Sequence, residues 1–461
     1  MLSRVLACLD ANLEQSLERL FELLRHKSVS TDSAFRDDCR KTAHWLVEDL
    51  KTIGFDASCR NTSGHPMVVA HHDGPRADAP HILFYGHYDV QPVDPLALWK
   101  DDPFDPKIRE LNGHKVICAR GASDDKGQLM TFIEALRAYK RETGSLPVRV
   151  TVLLEGEEES GSPSLRPFLA AHRDELKADY ALVCDTSMWD RKTPSISVGL
   201  RGLLGEEVVV RAANRDLHSG YYGGAAVNPV HVLVRILADL HDENGRITVP
   251  GFYDGVEETP KQILDSWQAL GFDVERFLGP VGLSIPAGEK GRSLPELVWA
   301  RPTAEVNGIS GGYEGDGFKT VIAAEASAKV SFRLVHRQDP LKIREAFRAF
   351  VQSRIPADCR VVFHDHGASP AIQLPFDSSF ISRAKTALSE EWPNPAVLVA
   401  MGGSIPVVGD FQSLLDMESL LVGFALDDDC IHSPNEKYDV NSFHKGQRSW
   451  ARILSALAGS I

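Results

Sequence analysis

Apolar residues at helical spacing form the first clear pattern in the chain. Their positions are Leu13, Leu17, Leu20, Phe21 and Leu24, followed by Ala43, Leu46, Val47 and Leu50. Spacings of three and four residues place such side chains along one face of a helix. The pattern therefore predicts two amphipathic helices at the start of the fold.

Short apolar runs come next and alternate with another helical pattern. The runs cover residues 82–85, 148–154 and 180–184, and the helical positions are Leu129, Phe132, Ile133 and Leu136. Runs of this length are typical of buried strands, and strands that alternate with helices are typical of α/β folds. We predict an α/β domain with a mostly parallel central sheet that is covered by helices on both faces.

The pattern changes after about residue 200. Residues 207–212 are typical of a strand, and in 326–334 apolar residues alternate with polar ones such as Arg333. Asn228-Pro229 has the residue types that begin a helix. With a further helix through Phe347, these elements predict an inserted α+β domain of one sheet and two helices. The predicted domain limits are 1–199 and 373–461 for the first domain and 200–372 for the insert.

Length and composition restrict the class of protein. A chain of 461 residues exceeds one ordinary core and favours two or three domains. The formal net charge of −14 repels phosphate backbones, so we expect no nucleic-acid partner. The seven cysteines lack CxxC pairing, which favours reduced thiols. Since no apolar stretch approaches ~18 residues, we expect a cytoplasmic protein without a membrane partner.

Five residues spread along the chain have side chains that bind metal ions: His87, Asp124, Glu159, Asp185 and His432. Imidazole and carboxylate together suit zinc or manganese better than calcium. His87, Glu159 and Asp185 follow predicted strands, and open α/β sheets bind ligands at the carboxyl ends of their strands. This combination predicts a two-metal hydrolase site.

Each of these motifs, taken alone, also has a structural explanation. A lone histidine near a strand, such as His87, is usually structural, and Asp124 can cap the helix that follows it. The acidic run 155–162 can be a solvated loop, and 432–437 can be a surface turn. The metal interpretation is favoured because all of these motifs occur in one chain.

Neighbouring carboxylates strengthen the metal interpretation. Asp89 lies two residues after His87, where it can accept a hydrogen bond from the ring and orient it as a ligand. Glu158 and Glu159 are adjacent and can have different roles. One can bind metal while the other accepts a proton from a water that the cations make more acidic.

Two other classes of function fit parts of the sequence. Gly308-Ile309-Ser310-Gly311-Gly312 matches the G-x-S-x-G elbow of serine hydrolases, but that elbow needs a strand before it and a helix after it. Residues 313–317 do not have the composition of a helix start. A metal-binding protein with the same fold but no catalytic activity would be expected to lack one of the five metal-binding residues or the carboxylate that accepts the proton. All six of these residues are present in the chain.

Seven short motifs are spread over nearly the whole chain. They are Tyr85-Gly86-His87-Tyr88-Asp89-Val90-Gln91-Pro92, Gly121-Ala122-Ser123-Asp124-Asp125-Lys126-Gly127, residues 155–162, Asp216-Leu217-His218-Ser219-Gly220, Lys319-Thr320-Val321-Ile322, Gly402-Gly403-Ser404-Ile405-Pro406 and residues 432–437. Together they resemble the M20 metallopeptidase family, in particular its carnosinase and Cys-Gly dipeptidase branch. The resemblance implies a di-metal-dependent hydrolase that cleaves dipeptides or short peptides with a free amino end. An N-acyl-amino-acid deacylase or carboxypeptidase of the same family is the alternative.

The resemblance also implies a role for each metal-binding residue. Asp124 bridges the two ions. His87 and Asp185 hold one ion, and Glu159 and His432 hold the other. Two divalent ions per subunit follow, with Zn²⁺ as the first expectation and Mn²⁺ or Co²⁺ as alternatives.

The proton transfer and one backbone feature are implied in the same way. Glu158 becomes the general base that activates a water lying between the metals. Members of the family usually have a cis peptide after the bridging aspartate, which is expected in this chain between Asp124 and Asp125.

The insert is expected to act as a lid and to contribute contacts to the substrate. His218 is expected to stabilise the oxyanion in the partner subunit's site, within a homodimer that forms through the insert. Thr320, Arg333, Ser404 and His366 are expected to contact the substrate. The Arg333 guanidinium suits a carboxylate because its fork binds both oxygens.

Two features of the sequence bear on specificity, and a third lies near a predicted ligand. Ala400-Met401 precede the Gly402-Gly403 pair, where relatives often carry arginine or another charged residue, so the preferred substrate side chains stay open. Asp rather than Glu at position 185 resembles the branch that acts on free amino ends. Cys430 lies close to His432 in sequence, and its role stays open as well.

Overall fold

The computed structural model describes residues 1–375, 378–403 and 405–459. The helices are α1 Leu2–Ala11, α2 Leu13–Leu24, α3 Arg36–Ile53, α4 Lys126–Thr143, α5 Leu165–Ala171, α6 Arg173–Leu176, α7 Ser219–Tyr222, α8 Pro229–Ala238, α9 Lys261–Gln268, α10 Val274–Leu278, α11 Pro340–Gln352, α12 Ser379–Ser389, α13 Pro406–Leu415 and α14 Val440–Ala458.

The strands are β1 Asp56–Arg60, β2 Met67–His72, β3 His81–His87, β4 Lys107–Leu111, β5 His114–Cys118, β6 Arg149–Glu155, β7 Tyr180–Val183, β8 Ser195–Leu200, β9 Gly202–Arg211, β10 Leu217–His218, β11 Thr303–Gly311, β12 Val321–Ile322, β13 Glu325–Leu334, β14 Arg360–Ser369, β15 Ile372–Gln373, β16 Val397–Met401, β17 Glu418–Leu421 and β18 Lys437–Asp439.

The chain divides into two compact units. One unit comprises residues 1–198, 374–399 and 407–461, and the other comprises 199–373 and 400–406. Among the described helices, none is both long and apolar enough to cross a membrane.

The first unit is built on a mixed sheet with the strand order β1-β2-β6-β3-β7-β17-β8. The four strands β6, β3, β7 and β17 run parallel to one another, and the strands on either side of them are antiparallel. Apolar runs explain the parallel strands, since Ile82 through Tyr85 of β3 are fully buried. The structure confirms the predicted α/β class.

Aromatic side chains join the helices to this sheet. Phe84 of β3 stacks on Phe132 of α4 with ring centroids 3.8 Å apart, and the Trp450 ring of α14 meets the Phe132 ring edge-on at 5.4 Å. Such buried rings contribute large apolar areas to a core. The same core therefore fixes α4, the helix that begins directly after Asp124-Asp125.

The parallel strands bring three predicted site segments to one edge of the sheet. His87 at the end of β3 pairs with Glu155 at the end of β6, and Tyr85 of β3 pairs with Val183 at the end of β7. Glu158 and Asp185 follow these strand ends in sequence and are therefore attached to the same edge of the sheet. This is the strand-end placement predicted from the sequence.

A small three-stranded sheet, in the order β18-β5-β4, was not predicted. Lys437 of β18 pairs with Cys118 of β5, so the segment before Lys437 lies beside the segment after Cys118. The strand pattern was hard to detect because β4 is exposed at every position and β18 has only three residues. This pairing brings the loop that carries His432 to the loop that carries Asp124.

The second unit contains an antiparallel sheet in the order β11-β13-β9-β14. Alternate residues of β13 are buried, from Ala326 to Leu334, as the sequence predicted. Helices α8 and α11 pack into the same core, where the Phe347 ring of α11 lies 5.0 Å from the Phe332 ring of β13. Asn228 caps α8 by accepting a hydrogen bond from the Val230 backbone N–H at 3.0 Å.

Short helices between residues 261 and 300 were missed from the sequence. They comprise α9, α10, a 3-10 turn, Gly279–Val281, and a π-helical turn, Glu296–Ala300. Aromatic residues of this segment pack on one another, with the Phe272 and Trp299 rings stacked at 5.1 Å and Trp267 meeting Trp299 edge-on. Helices this short carry too few turns for a period to be recognised.

Candidate active site

The predicted metal-binding residues of the first unit lie together. In the part of the chain that the structure describes, two groups have donor atoms within 4.8 Å of one another: His87 with Asp124 and Asp185, and Asp124 with Glu159 and His432. Asp124 belongs to both groups. Its Oδ1 lies 3.0 Å from His87 Nε2, and its Oδ2 lies 3.0 Å from His432 Nε2.

Different kinds of backbone position the two groups. His87 is the last residue of β3, Asp124 comes just before α4, and Asp185 follows β7. Glu159 lies in a single 3-10 turn, Glu158–Ser160, after β6, and its Oε2 is 3.1 Å from His432 Nε2. The peptide between Asp124 and Asp125 is cis, as expected from the resemblance.

Asp89 connects the His87 ring to the turn that carries the two glutamates. Its buried carboxylate accepts the backbone N–H of Glu158 at 3.2 Å and that of Glu159 at 3.0 Å. His87 Nδ1 lies 3.1 Å from the Asp89 carbonyl oxygen and 3.4 Å from Oδ1. The predicted contact between ring and carboxylate is therefore accompanied by a shorter one to the Asp89 backbone.

Electrostatics within the cluster favour binding of cations. Burial, supported by the Asp124 charge, raises the pKa of Asp185 to about 8. Burial, opposed by the His87 ring and supported by the Asp124 charge, raises the pKa of Glu158 to about 7. Carboxylates in such an environment hold protons unless positive charge is brought close to them. The donor set therefore fits divalent cations, which oxygen and imidazole ligands bind.

The two histidines of the cluster are paired with these carboxylates. Hydrogen bonds from Asp124 and Glu159 raise the pKa of His432 to about 10. Burial opposes charging of His87, but its contacts with Asp124 and Asp89 raise the pKa well above the ordinary value. These shifts show that the carboxylates of the cluster favour positive charge beside them, as a cation-binding site requires.

Several residues that support the cluster were missed from the sequence. Gln91 Nε2 donates to Glu159 Oε2 at 2.8 Å, and Asp125 Oδ2 accepts the His87 backbone N–H at 3.1 Å. Glu436 accepts the Asp124 backbone N–H at 3.1 Å and forms an ion pair with Arg120 at 2.8 Å. All but Arg120 fall inside the seven family motifs, so the only available signal was their membership of those motifs.

The other predicted contact residues belong to the second unit. His218 is exposed at the end of β10, and its Nδ1 accepts the Gly220 backbone N–H at 3.0 Å. An accepting Nδ1 carries no proton, so the neutral ring holds its proton on Nε2 and can donate from there. His218 pairs with Val321 across β10 and β12, which places it next to Thr320.

Arg333 and His366 lie on the four-stranded sheet. Arg333 pairs with Thr303 and Leu203 in the register of β13, and its charge contributes, after burial, to lowering the pKa of Arg201 to about 10. His366 lies in an irregular part of β14, with Nε2 3.5 Å from a Glu207 carboxylate oxygen. The remaining predicted contact, Ser404, lies outside the described residues.

The serine-hydrolase alternative finds no support at Ser310. This residue lies inside β11, and its hydroxyl donates to Glu314 Oε1 at 2.9 Å. Residues 312–320 after the strand form no helix. A nucleophile elbow needs a sharp turn between a strand and a helix, and these residues do not have that geometry.

Comparison with known proteins identifies the family. The sequence profile of peptidase family M20/M25/M40 matches residues 83–456. The chain belongs to this family. This confirms the resemblance of the motifs and the predicted class of metallopeptidase.

Individual relatives agree with this assignment over at least 95% of the chain. The Cys-Gly metallodipeptidase DUG1 of Candida albicans is 30% identical over 458 residues, which cover 95% of this chain and 93% of the relative. The crystal structure of human carnosine dipeptidase 1 has a TM-score of 0.81 at 25% identity and covers 99% of both chains. A metallo-carboxypeptidase of the M20 family, Sso-CP2 from Sulfolobus solfataricus, has a TM-score of 0.83 at 30% identity and covers 96% of this chain and 99% of its own.

Proposed function

We propose that this protein uses two divalent ions to hydrolyse the peptide bond of dipeptides or short peptides that have a free amino end. The observation that carries the proposal is the pair of donor groups that share Asp124. Shared carboxylates are typical of two-metal hydrolases. The similarity to a Cys-Gly metallodipeptidase and to carnosine dipeptidase supports this choice of substrate class.

In this proposal His87, Asp124 and Asp185 hold one ion, and Asp124, Glu159 and His432 hold the other. When bound, the ions polarise the scissile carbonyl and make an attacking water more acidic. Zn²⁺ is the proposed ion because it accepts both imidazole and carboxylate ligands, and Mn²⁺ or Co²⁺ could take its place.

Glu158 is proposed to take the proton from the attacking water and to pass it to the leaving amine. It lies in the same 3-10 turn as the proposed ligand Glu159 and feels the charges of His87 and Asp124, but it belongs to neither donor group, so it would be left available as a base. Asp89 is proposed to hold this turn through the two backbone N–H groups that it accepts. As a general base, the Glu158 carboxylate would raise the rate of hydrolysis, and general base catalysis typically contributes ~10²- to 10⁴-fold to a rate.

His218 is proposed to donate a hydrogen bond to the oxyanion of the tetrahedral intermediate in the partner subunit of a homodimer. Support comes from its exposure and from the hydrogen bond at Nδ1, which leaves Nε2 as the donor. The insert would then form the dimer contact. Thr320, Arg333, His366 and Ser404 are proposed to contact the substrate, with Arg333 binding its carboxylate.

We also propose a reducing compartment, such as the cytoplasm, for this protein. All seven cysteines are described by the structure, and none of them is in a disulfide. An exposed thiol such as Cys430 persists more readily where glutathione keeps thiols reduced.

A substrate panel tests the proposed function. The metal-loaded protein is assayed against dipeptides and against the same dipeptides with an acetylated amino group. We expect faster hydrolysis of the free dipeptides. Preference for the blocked peptides would instead assign the chain to the deacylases or carboxypeptidases, and two bound ions without hydrolysis of either set would indicate a non-catalytic metal-binding protein.

A further inference from the structure

A buried carboxylate joins the two loops that carry Asp124 and His432. Glu436 is fully buried, and its Oε1 accepts the backbone N–H groups of Ser123 at 2.9 Å and of Asp124 at 3.1 Å. Its Oε2 accepts the Gly121 N–H at 3.0 Å and a hydrogen bond from Arg120 Nη1 at 2.8 Å. Both oxygens are therefore used, and three of the four donors belong to the backbone just before the cis peptide.

Arg120 links Glu436 to two further segments, those of Pro92 and Ser433. It is 1% exposed, and its Nη2 donates to the carbonyl oxygens of Pro92 at 3.1 Å and Ser433 at 3.4 Å. Its guanidinium lies 5.3 Å from the Trp99 ring. Since Ser433 directly follows His432 and Glu436 comes four residues after it, the Arg120–Glu436 pair holds the loop at two points on the C-terminal side of His432.

The two metal-binding groups depend on this pair to different degrees. His87 and Asp185 are attached to buried strands, whereas His432 is attached only to a loop and its side chain is 52% exposed. His432 also has a φ of 60°, and Cys430, two residues before it, has a φ of 55°. Left-handed conformations are unfavourable for residues other than glycine, so this loop needs outside contacts to keep its shape.

We propose that the Arg120–Glu436 pair positions His432 against Asp124 and thereby forms the second of the two metal-binding groups. Neither residue reaches the donor atoms, so both are positioning residues. Charge-assisted hydrogen bonds at a buried site are among the stronger ones in proteins, and four of them converge on Glu436. This inference rests on the proposed function, because it assumes that both groups bind ions.

The test compares the two binding constants for Zn²⁺ in the wild-type protein and in the Glu436→Gln variant. The Gln amide directs N–H donors toward backbone N–H groups, so the loop contacts weaken while side-chain size is kept. Loss of groups that orient a ligand typically lowers metal affinity by ~10- to 100-fold. We expect a loss of that size for the ion held by Asp124, Glu159 and His432. The loss should be smaller for the ion held by His87, Asp124 and Asp185, because two of its three ligands are attached to buried strands. Both constants are measured by chelator competition and by metal content.

A matched control separates positioning from general stability. Glu134 of α4 is 2% exposed and pairs with Arg19 at 2.5 Å and with Arg137 at 3.2 Å, so Glu134→Gln makes the same chemical change in another buried ion pair. We expect this variant to lower the urea midpoint of the metal-free protein and to leave both Zn²⁺ constants close to those of wild type. A merely structural role for Glu436 would make the two variants behave alike.

The outcomes are distinguishable from failure of the proposed function. If wild type binds fewer than two ions, the proposed function is wrong whatever the variants do. If wild type binds two ions and Glu436→Gln binds both with wild-type constants, the positioning role is wrong. Should Glu436→Gln not fold, Arg120→Lys serves in its place, because it keeps the charge but loses the fork that reaches Ser433. The same unequal loss is expected, larger for the ion held by Asp124, Glu159 and His432, and unchanged constants would overturn the proposal.

Discussion

Replacement of Asp89 by Asn changes one oxygen to an amide group and removes a buried charge next to the site. Asp89 accepts the backbone N–H groups of Glu158 and Glu159, one with each carboxylate oxygen. Asn has only one accepting oxygen, so one of the two N–H groups must then face an N–H donor. The turn that carries both glutamates should therefore loosen.

The size of this effect follows from the contacts. A hydrogen bond to a charged group contributes about 1.5–3 kcal/mol, and a buried N–H without a partner costs about 1–3 kcal/mol. A total of about 3 kcal/mol corresponds to roughly 100-fold in an equilibrium, since about 1.4 kcal/mol is tenfold. The orientation of His87, whose Nδ1 lies 3.4 Å from Asp89 Oδ1, should suffer as well. We expect kcat to fall ~30- to 100-fold at saturating metal.

The assay is dipeptide hydrolysis at saturating Zn²⁺, with bound metal measured in the same samples. Asp179→Asn is the control, because Asp179 accepts the His81 backbone N–H at 2.8 Å at the exposed start of β3, the opposite end of the strand. That variant should retain the kcat of wild type. The reasoning would be refuted if Asp89→Asn kept its kcat within about threefold of wild type with both ions bound.

Three further predictions concern the general base, the oxyanion donor and pH. Glu158→Gln should lower turnover by ~100-fold or more while both ions stay bound, and near-normal turnover would exclude Glu158 as the base. His218→Ala should lower turnover by ~100- to 1,000-fold. Mixing its chains with Glu158→Gln chains should restore activity in heterodimers, because one of the two sites then has both groups. No recovery despite subunit exchange would exclude action of His218 across the dimer. The metal-free protein should lose stability as pH rises from about 4 to 8. The reason is that Asp185, with its pKa raised to about 8, holds a proton in the folded state that the unfolded chain releases near pH 4. Urea midpoints across this range should fall less steeply in Asp185→Asn, and equal slopes would contradict the assignment of this pH dependence to Asp185.

Much of the framework of the site could be predicted from the sequence because it depends on local patterns. Buried runs such as 82–85 predict strands. Because the carboxyl ends of parallel strands meet at one edge of a sheet, the sequence also predicts that His87 and Asp185 lie at the same edge. The Asn228-Pro229 pair predicted the start of α8, and the structure confirms it. Each of these inferences needs only neighbouring residues and one general rule of packing.

Features that depend on pairing between distant segments could not be predicted. The pairing of β18 with β5 joins residues more than 300 positions apart, and no periodicity in either segment reveals it. The same holds for Glu436, because three of its four donors are backbone N–H groups, which no residue type marks, and its one side-chain partner, Arg120, is 316 positions away. The short helices between 261 and 300 were missed because one or two turns leave no measurable period.

Titration of the metal-free protein with Zn²⁺, followed by dipeptide hydrolysis and by metal content, tests the central claim most directly. Because the donor groups share Asp124, the account predicts that activity reaches its maximum only when two ions are bound per chain, and that chelation abolishes it. Full activity with a single equivalent, and no gain on adding a second, would contradict the two-metal account.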